Sequence, residues 1–81
     1  MDPQILQQIK LLISETILIS IDEIQDNSSL GEDLDMDSLD LVDVVIGLEQ
    51  LFHIHIDEEN LNSMIALEDI YNVVKAHLGN K

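Results

Sequence analysis

The spacing of apolar residues divides the chain into four helical segments separated by polar or turn-forming residues. In the first segment isoleucines recur every four residues from Ile5 to Ile17, after an Asp2-Pro3 pair that is typical of a helix start. The fourth segment, which stops at Gly79, has apolar residues at i, i+3, i+4, i+7 and i+11, namely Leu67, Ile70, Tyr71, Val74 and Leu78. Both patterns predict amphipathic helices with one buried face.

The two middle segments are predicted from their acidic starts. The second helix begins near Asp37, with Asp40 placed to complete a capping box, and runs to about Phe52. The third is short, beginning at the acidic run 57–59 and reaching about Ser63. The strictly alternating residues between them, 52–56, are predicted to form an extended loop rather than a strand.

A long polar loop joins the first helix to the second. Residues 19–34 carry Asp, Asn, Ser and Gly around four apolar anchors, which are Ile21, Ile24, Leu30 and Leu34. Loops of this length in compact domains are often functional. The sequence therefore predicts one all-α domain over residues 1–81, a small four-helix bundle with three longer helices, a short third helix and a long loop after the first.

The second helix carries two apolar stripes. At about 100° per residue one sector holds a predicted buried face, made of Leu41, Val44, Val45, Leu48, Leu51 and Phe52. The roughly opposite side holds Leu39, Val42 and Ile46 among carboxylates. Scattered surface hydrophobes, or a helix buried all round, would explain the second stripe. We favour a docking face with apolar anchors for affinity and an acidic rim that steers a basic partner.

The charge of the chain limits its partners. It has 17 Asp and Glu against 3 Lys and Arg, a formal net charge of −14, which excludes nucleic acid and anionic membrane surfaces and favours basic proteins. A hydrophobic content of 46% provides enough apolar surface to fold, and there is no Cys for a disulfide or thiolate site. With neither a membrane-spanning stretch nor a basic leader, we expect a cytoplasmic protein without membrane insertion.

Ser38 lies at the positive end of the second helix, where unpaired amides and the helix dipole favour an anion. A serine there is usually only a cap. The run Leu30–Asp43, however, resembles the prosthetic-group attachment segment of acyl carrier proteins, whose signature Asp37-Ser38-Leu39 opens the second of four helices. The Asp33-Leu34 pair, residues 48–52, residues 57–59 and a fourth helix ending at Leu78 fit the same family.

This resemblance to the acyl carrier proteins implies a carrier and not an enzyme. Ser38 would receive 4′-phosphopantetheine from coenzyme A through a separate Mg²⁺-dependent phosphopantetheinyl transferase, and the thiol would hold acyl groups as thioesters. The resemblance also implies a discrete monomer that shuttles intermediates of fatty acid synthesis, sheltered between the helices, among acyltransferases, ketosynthases, reductases and dehydratases. Basic patches of those enzymes would grip the second helix at Asp37, Leu39, Asp40, Val42, Asp43, Ile46 and Glu49.

Four positions depart from the family pattern. Asp35 stands where glycine is common, and Ala66 replaces a small hydroxyl cap before the fourth helix. Asp57 stands where proline is frequent before the third helix, and Leu51 where acidic residues are common. Ala66 and Asp57 predict looser or differently capped junctions at the fourth and third helices. Asp35 is expected to add charge beside the serine and to remove flexibility, and Leu51 to extend the buried or half-buried side of the second helix. These departures also keep open a specialised carrier for polyketide, lipid-A-type or aminoacyl pathways.

Three further interpretations compete with the carrier. Asp33, Asp35 and Asp37 alternate like calcium-loop ligands, but the loop would need Gly at Ser38 and Glu at Val44, so we expect no specific calcium site. His53 and His55 on an extended segment lack a third ligand, and no metal site is predicted there. The other class of function is a non-carrier interaction module with the same fold, against which the intact Asp37-Ser38-Leu39 argues.

Overall fold

The computed structural model of the protein describes residues 2–79. It contains α1 (Pro3–Ile17), a 3₁₀ helix (Ile21–Glu23), α2 (Ser38–Phe52), α3 (Glu58–Ser63) and α4 (Leu67–Gly79). The predicted all-α bundle with a short third helix and a long loop after the first is confirmed. Helix α1 packs against α2 and α4, and α2 also packs against α4.

Local chemistry fixes both ends of α1. The Asp2 side chain accepts hydrogen bonds from the N–H groups of Gln4 and Ile5, and Pro3 occupies the first turn. The helix ends at Leu18, whose backbone is left-handed (φ 60°, ψ 48°) and whose N–H donates to the Ser14 carbonyl. The buried face of α1 is therefore held in register with the rest of the core.

The hydrophobic core draws on α1, α2, α4 and the loops, whereas α3 contributes no buried side chain. Three of the four predicted loop anchors are buried, and Ile21 is half-buried. The core consists of Leu6, Ile9, Ile13, Ile24, Leu30, Leu34, Val44, Val45, Leu48, Ile56, Met64, Leu67, Ile70, Tyr71 and Val74. Since the long loop takes part in the core, it is a fixed part of the bundle.

Backbone hydrogen bonds join the long loop to the start of α4. Ser29 and Ala66 form an isolated antiparallel bridge. The Leu30 N–H donates to the Ile65 carbonyl at 2.9 Å, and the Leu67 N–H donates to the Ser28 carbonyl at 2.9 Å. This bridge places residues 29–36 beside the linker between α3 and α4.

The structure corrects the prediction for Leu51, which is 45% exposed instead of buried. Leu12 of α1 lies so close to Gly47 that a Cβ there would come within 2.8 Å of its Cδ1. Leu51 itself lies one turn further along α2, in a shallow groove that Leu11, Leu12 and Glu15 of α1 also line. Helical spacing gives the side of α2 on which Leu51 lies but not this close approach of α1.

The two junctions with unusual residues are built differently. At α4, no side chain caps the first turn in place of the hydroxyl: the Leu67 N–H donates to the Ser28 carbonyl at 2.9 Å. Asp69 Oδ2 reaches back to accept the N–H groups of Ile65 and Ala66, just before the helix, at 2.9 Å. At α3, Asp57 occupies the cap position without a side-chain capping bond. The first junction is therefore capped in another way, as one of the predicted outcomes, and the second has no side-chain cap.

Candidate functional site

Ser38 is the first residue of α2 and is exposed. The predicted capping box holds it there: the Asp40 N–H donates to Asp37 Oδ1 at 2.8 Å, and the Asp37 N–H donates to Asp40 Oδ2 at 3.3 Å. Among the hydrogen bonds of residues 2–79, none uses the N–H groups of Ser38 and Leu39. The serine hydroxyl thus lies at a helix end with two free backbone donors.

A tight turn brings the chain to this helix end. The Met36 N–H donates to the Leu30 carbonyl at 2.9 Å, and the Asp33 and Leu34 N–H groups both donate to the Ser29 carbonyl. Asp35 within this turn has φ 55°, in the left-handed region. Glycine is suited to that conformation and Asp tolerates it better than most residues. The departure at Asp35 therefore keeps the backbone path that a glycine would take.

A cavity of about 320 Å³ lies beside Ser38. Its rim includes Ser38, Asp37 and Glu32. Its apolar lining comes from the long loop, from α2 and from the linker between α3 and α4, and consists of Leu30, Met36, Leu41, Met64 and Ile65. An apolar group attached at Ser38 would find this space within reach.

The second stripe of α2 is exposed, as predicted. Leu39 is 74% exposed, Val42 41% and Ile46 47%, and Asp43 beside them is exposed too. Apolar side chains of this size, clustered with carboxylates on one helix, form a surface that a protein partner can cover. We call the face made of Asp37, Leu39, Asp40, Val42, Asp43 and Ile46 the α2 face.

Glu49 behaves differently from the other predicted docking residues. Its Oε2 accepts the Ile56 N–H at 2.9 Å and lies 3.4 Å from His55 Nδ1. His55 Nε2 lies 3.2 Å from Asp57 Oδ1, so the ring stands between two carboxylates. Glu49 thus fastens the loop after α2 to that helix, at the far end from Ser38.

The two histidines of this loop do not share one extended segment. His53 ends α2 in a left-handed conformation (φ 55°), whereas His55 lies in the following segment, 54–57, which is neither helix nor strand. Across residues 2–79 no three His, Cys, Asp or Glu side chains converge in a way that would hold a metal ion. In the same part of the chain, no helix has the length and apolarity needed to cross a bilayer.

Sequence reasoning missed the residues that the linker between α3 and α4 contributes to the cavity. Met64 is buried and Ile65 is 70% exposed, and both line the cavity beside Ser38. The signal available was a run of eight residues without charge, 60–67, in a strongly acidic chain. Its position beside Ser38 depends on the bridge between the long loop and α4.

Comparison with known proteins gives consistent matches along the chain. The family described as phosphopantetheine attachment site matches residues 7–74. The chain is 32% identical over 78 residues to the acyl carrier protein of Coprothermobacter proteolyticus, covering 96% of this chain and 95% of that protein. It is 32% identical over 76 residues to the acyl carrier protein of Thermotoga maritima, covering 94% of each.

The fold has a solved counterpart as well. A chain of the structure described as "The ishigamide ketosynthase/chain length factor" superposes with a TM-score of 0.74 at 32% identity, covering 95% of this chain and 97% of that one. The family match, the relatives and the four-helix fold agree with one another. The chain therefore belongs to the acyl carrier proteins, with 4′-phosphopantetheine as its prosthetic group.

Proposed function

We propose that Ser38 carries the 4′-phosphopantetheine group and that the protein presents acyl groups on it to enzymes docked on the α2 face. The observation that carries this proposal is the exposed Ser38 hydroxyl at the start of α2, beside an apolar cavity of about 320 Å³. When bound, the group supplies a terminal thiol that holds acyl chains as thioesters.

The residues around Ser38 fit this group. The free N–H groups of Ser38 and Leu39 and the positive end of α2 favour a phosphate at the serine oxygen. Asp37 and Asp40 hold the first turn in place through the capping box. The apolar walls of Met36, Leu41 and Met64 offer shelter from water to an aliphatic chain near the serine.

The attachment step makes Ser38 a substrate and not a catalyst. In the transfer from coenzyme A, Ser38 Oγ forms a new bond to the phosphorus that bears pantetheine. The bond from that phosphorus to the 3′,5′-ADP portion breaks, and the serine proton passes to a base of the transferase. The three histidines lie far along the chain, at 53, 55 and 77, so no histidine base is near Ser38 in sequence. We therefore assign the protein no enzymatic activity of its own.

The α2 face is proposed to receive the partner enzymes. Its carboxylates attract basic patches and raise the rate of encounter, while Leu39, Val42 and Ile46 provide area for contact. The similarity to a chain from a ketosynthase/chain length factor structure supports a ketosynthase among these partners. We propose a monomeric cytoplasmic carrier that shuttles fatty acyl or related intermediates between the enzymes that elongate and process them.

Intact mass measurement tests this function. The purified apo protein is incubated with coenzyme A, Mg²⁺ and a broad-specificity phosphopantetheinyl transferase, and the wild type should gain the mass of one phosphopantetheine group. Ser38→Ala should gain nothing, whereas Ser29→Ala, a change at the same cavity, should be modified like the wild type. An unmodified wild type, or a modified Ser38→Ala variant, would overturn the proposal.

A further inference from the structure

Ile65 is an apolar side chain held outward by a fixed backbone. It is 70% exposed in the linker between α3 and α4. Its N–H donates to Asp69 Oδ2 at 2.9 Å, and its carbonyl accepts the Leu30 N–H at 2.9 Å. Exposing a large aliphatic side chain to water is unfavourable, and the backbone bonds prevent the residue from turning inward. Such a side chain is suited to contact with another molecule.

The stretch of sequence around Ile65 differs in charge from the α2 face. Residues 60–67 contain no ionisable side chain, although the chain as a whole carries a formal charge of −14. The nearest acidic residue after them in sequence is Glu68, followed by Asp69, whose Oδ2 accepts the N–H groups of Ile65 and Ala66. Residues 60–67 therefore present apolar and uncharged polar side chains, although Glu32 and Asp37 line the same cavity as Ile65, whereas the α2 face is acidic and complements a basic patch.

The position of Ile65 beside Ser38 points to the phosphopantetheinyl transferase as the partner that covers it. Leu39 follows Ser38 directly, and Ile65, from the linker between α3 and α4, lines the same cavity as Ser38. The transferase must bring its catalytic groups to Ser38 Oγ itself, because before modification no arm extends from the protein. An enzyme that encloses Ser38 in this way covers both flanks of the serine.

We propose that the docking surface for the phosphopantetheinyl transferase crosses Ser38 and includes Ile65, which packs against an apolar part of the rim of that enzyme's active site. This inference rests on the proposed attachment at Ser38. Apolar contacts near the centre of an interface mainly slow dissociation, whereas surrounding charges mainly speed association. Loss of Ile65 should therefore weaken binding at every salt concentration.

Kinetics of the modification reaction test this surface. With the full-length apo protein as substrate, Ile65→Ser should raise the KM of the transferase about tenfold and leave kcat within about twofold, since an interaction equal in ground and transition states is lost. The increase in KM caused by Ile65→Ser should be the same at low and high salt. Ile65→Leu should restore most of the affinity because it keeps the apolar area.

Leu11→Ser is the matched control. Leu11 is, like Ile65, an exposed aliphatic side chain (48% exposed) of the same size, but it lies in the groove between α1 and α2. Leu11→Ser should leave KM and kcat unchanged. Equal KM values for Ile65→Ser, Leu11→Ser and the wild type would overturn the inference while leaving attachment at Ser38 intact. A wild type that is not modified at all would instead overturn the proposed function. Circular dichroism of each variant checks that the bundle is folded.

Discussion

The capping box at the start of α2 leads to a stability prediction that separates the cap from its charge. Asp37→Ala and Asp37→Asn each remove one negative charge, so any relief of repulsion is the same in both. Asn caps a helix about as well as Asp, whereas Ala does not cap at all. The difference between the two variants therefore isolates the hydrogen bond from the Asp40 N–H to the side chain of residue 37.

The structure sets the size of that difference. The Asp37 side chain accepts one backbone N–H, at 2.8 Å, and the reciprocal bond uses the backbone N–H of residue 37, which both variants keep. We therefore expect the typical cost of a lost cap, about 1 kcal/mol, and not the upper end of the range. For a domain of this size 1 kcal/mol corresponds to about 4–8 °C in Tm.

Thermal unfolding followed by far-ultraviolet circular dichroism measures this difference. Both variants are melted at the same protein concentration and ionic strength, and Asp37→Ala should melt about 4–8 °C below Asp37→Asn. Urea unfolding should give the same order of stability with unchanged m values. Equal melting temperatures would refute the reasoning, because they would show that the capping bond adds nothing to the stability of α2.

Two other predictions concern charge and backbone. With 17 acidic residues against 3 basic ones, repulsion opposes folding, so Tm should rise as NaCl or MgCl₂ is added; a Tm indifferent to ionic strength would show this repulsion to be minor. At Asp35 the left-handed φ of 55° disfavours β-branched residues, so Asp35→Val should lose about 1–2 kcal/mol in urea unfolding. Asp35→Gly should be at least as stable as the wild type. If Asp35→Val were as stable as Asp35→Gly, the left-handed backbone at residue 35 would not disfavour a β-branched side chain, and the reasoning would be wrong.

The sequence predicts those features of the fold, such as helix starts and helix faces, that depend on residues close together along the chain. The start of α2 follows from Asp37 and Asp40, which act within one turn, and the buried faces of α1 and α4 follow from helical spacing. The exposed stripe of Leu39, Val42 and Ile46 could be predicted for the same reason, because helix geometry alone places them together. Ser38 as the candidate site came from the resemblance, not from spacing.

Features that depend on distant contacts could not be predicted. The cavity wall at Met64 and Ile65 requires the bridge between Ser29 and Ala66, which joins residues far apart in sequence. The exposure of Leu51 depends on how α1 packs beside α2, and the hydrogen bond of Glu49 depends on the path of the following loop. The 3₁₀ helix has only three residues, which is too few to show a period.

The weak anchoring of α3 has a consequence for how the bundle opens. This helix has six residues and no side-chain cap, and its one apolar side chain, Leu61, is only half-buried against the core. Helices so short are not stable alone. Ile56 and Met64 on either side of it are each only 5% exposed and hold its two ends to the core. The segment between them can therefore lose its helical hydrogen bonds while both ends stay in place. Its amide protons should exchange with solvent by local opening, at a free energy well below that of global unfolding.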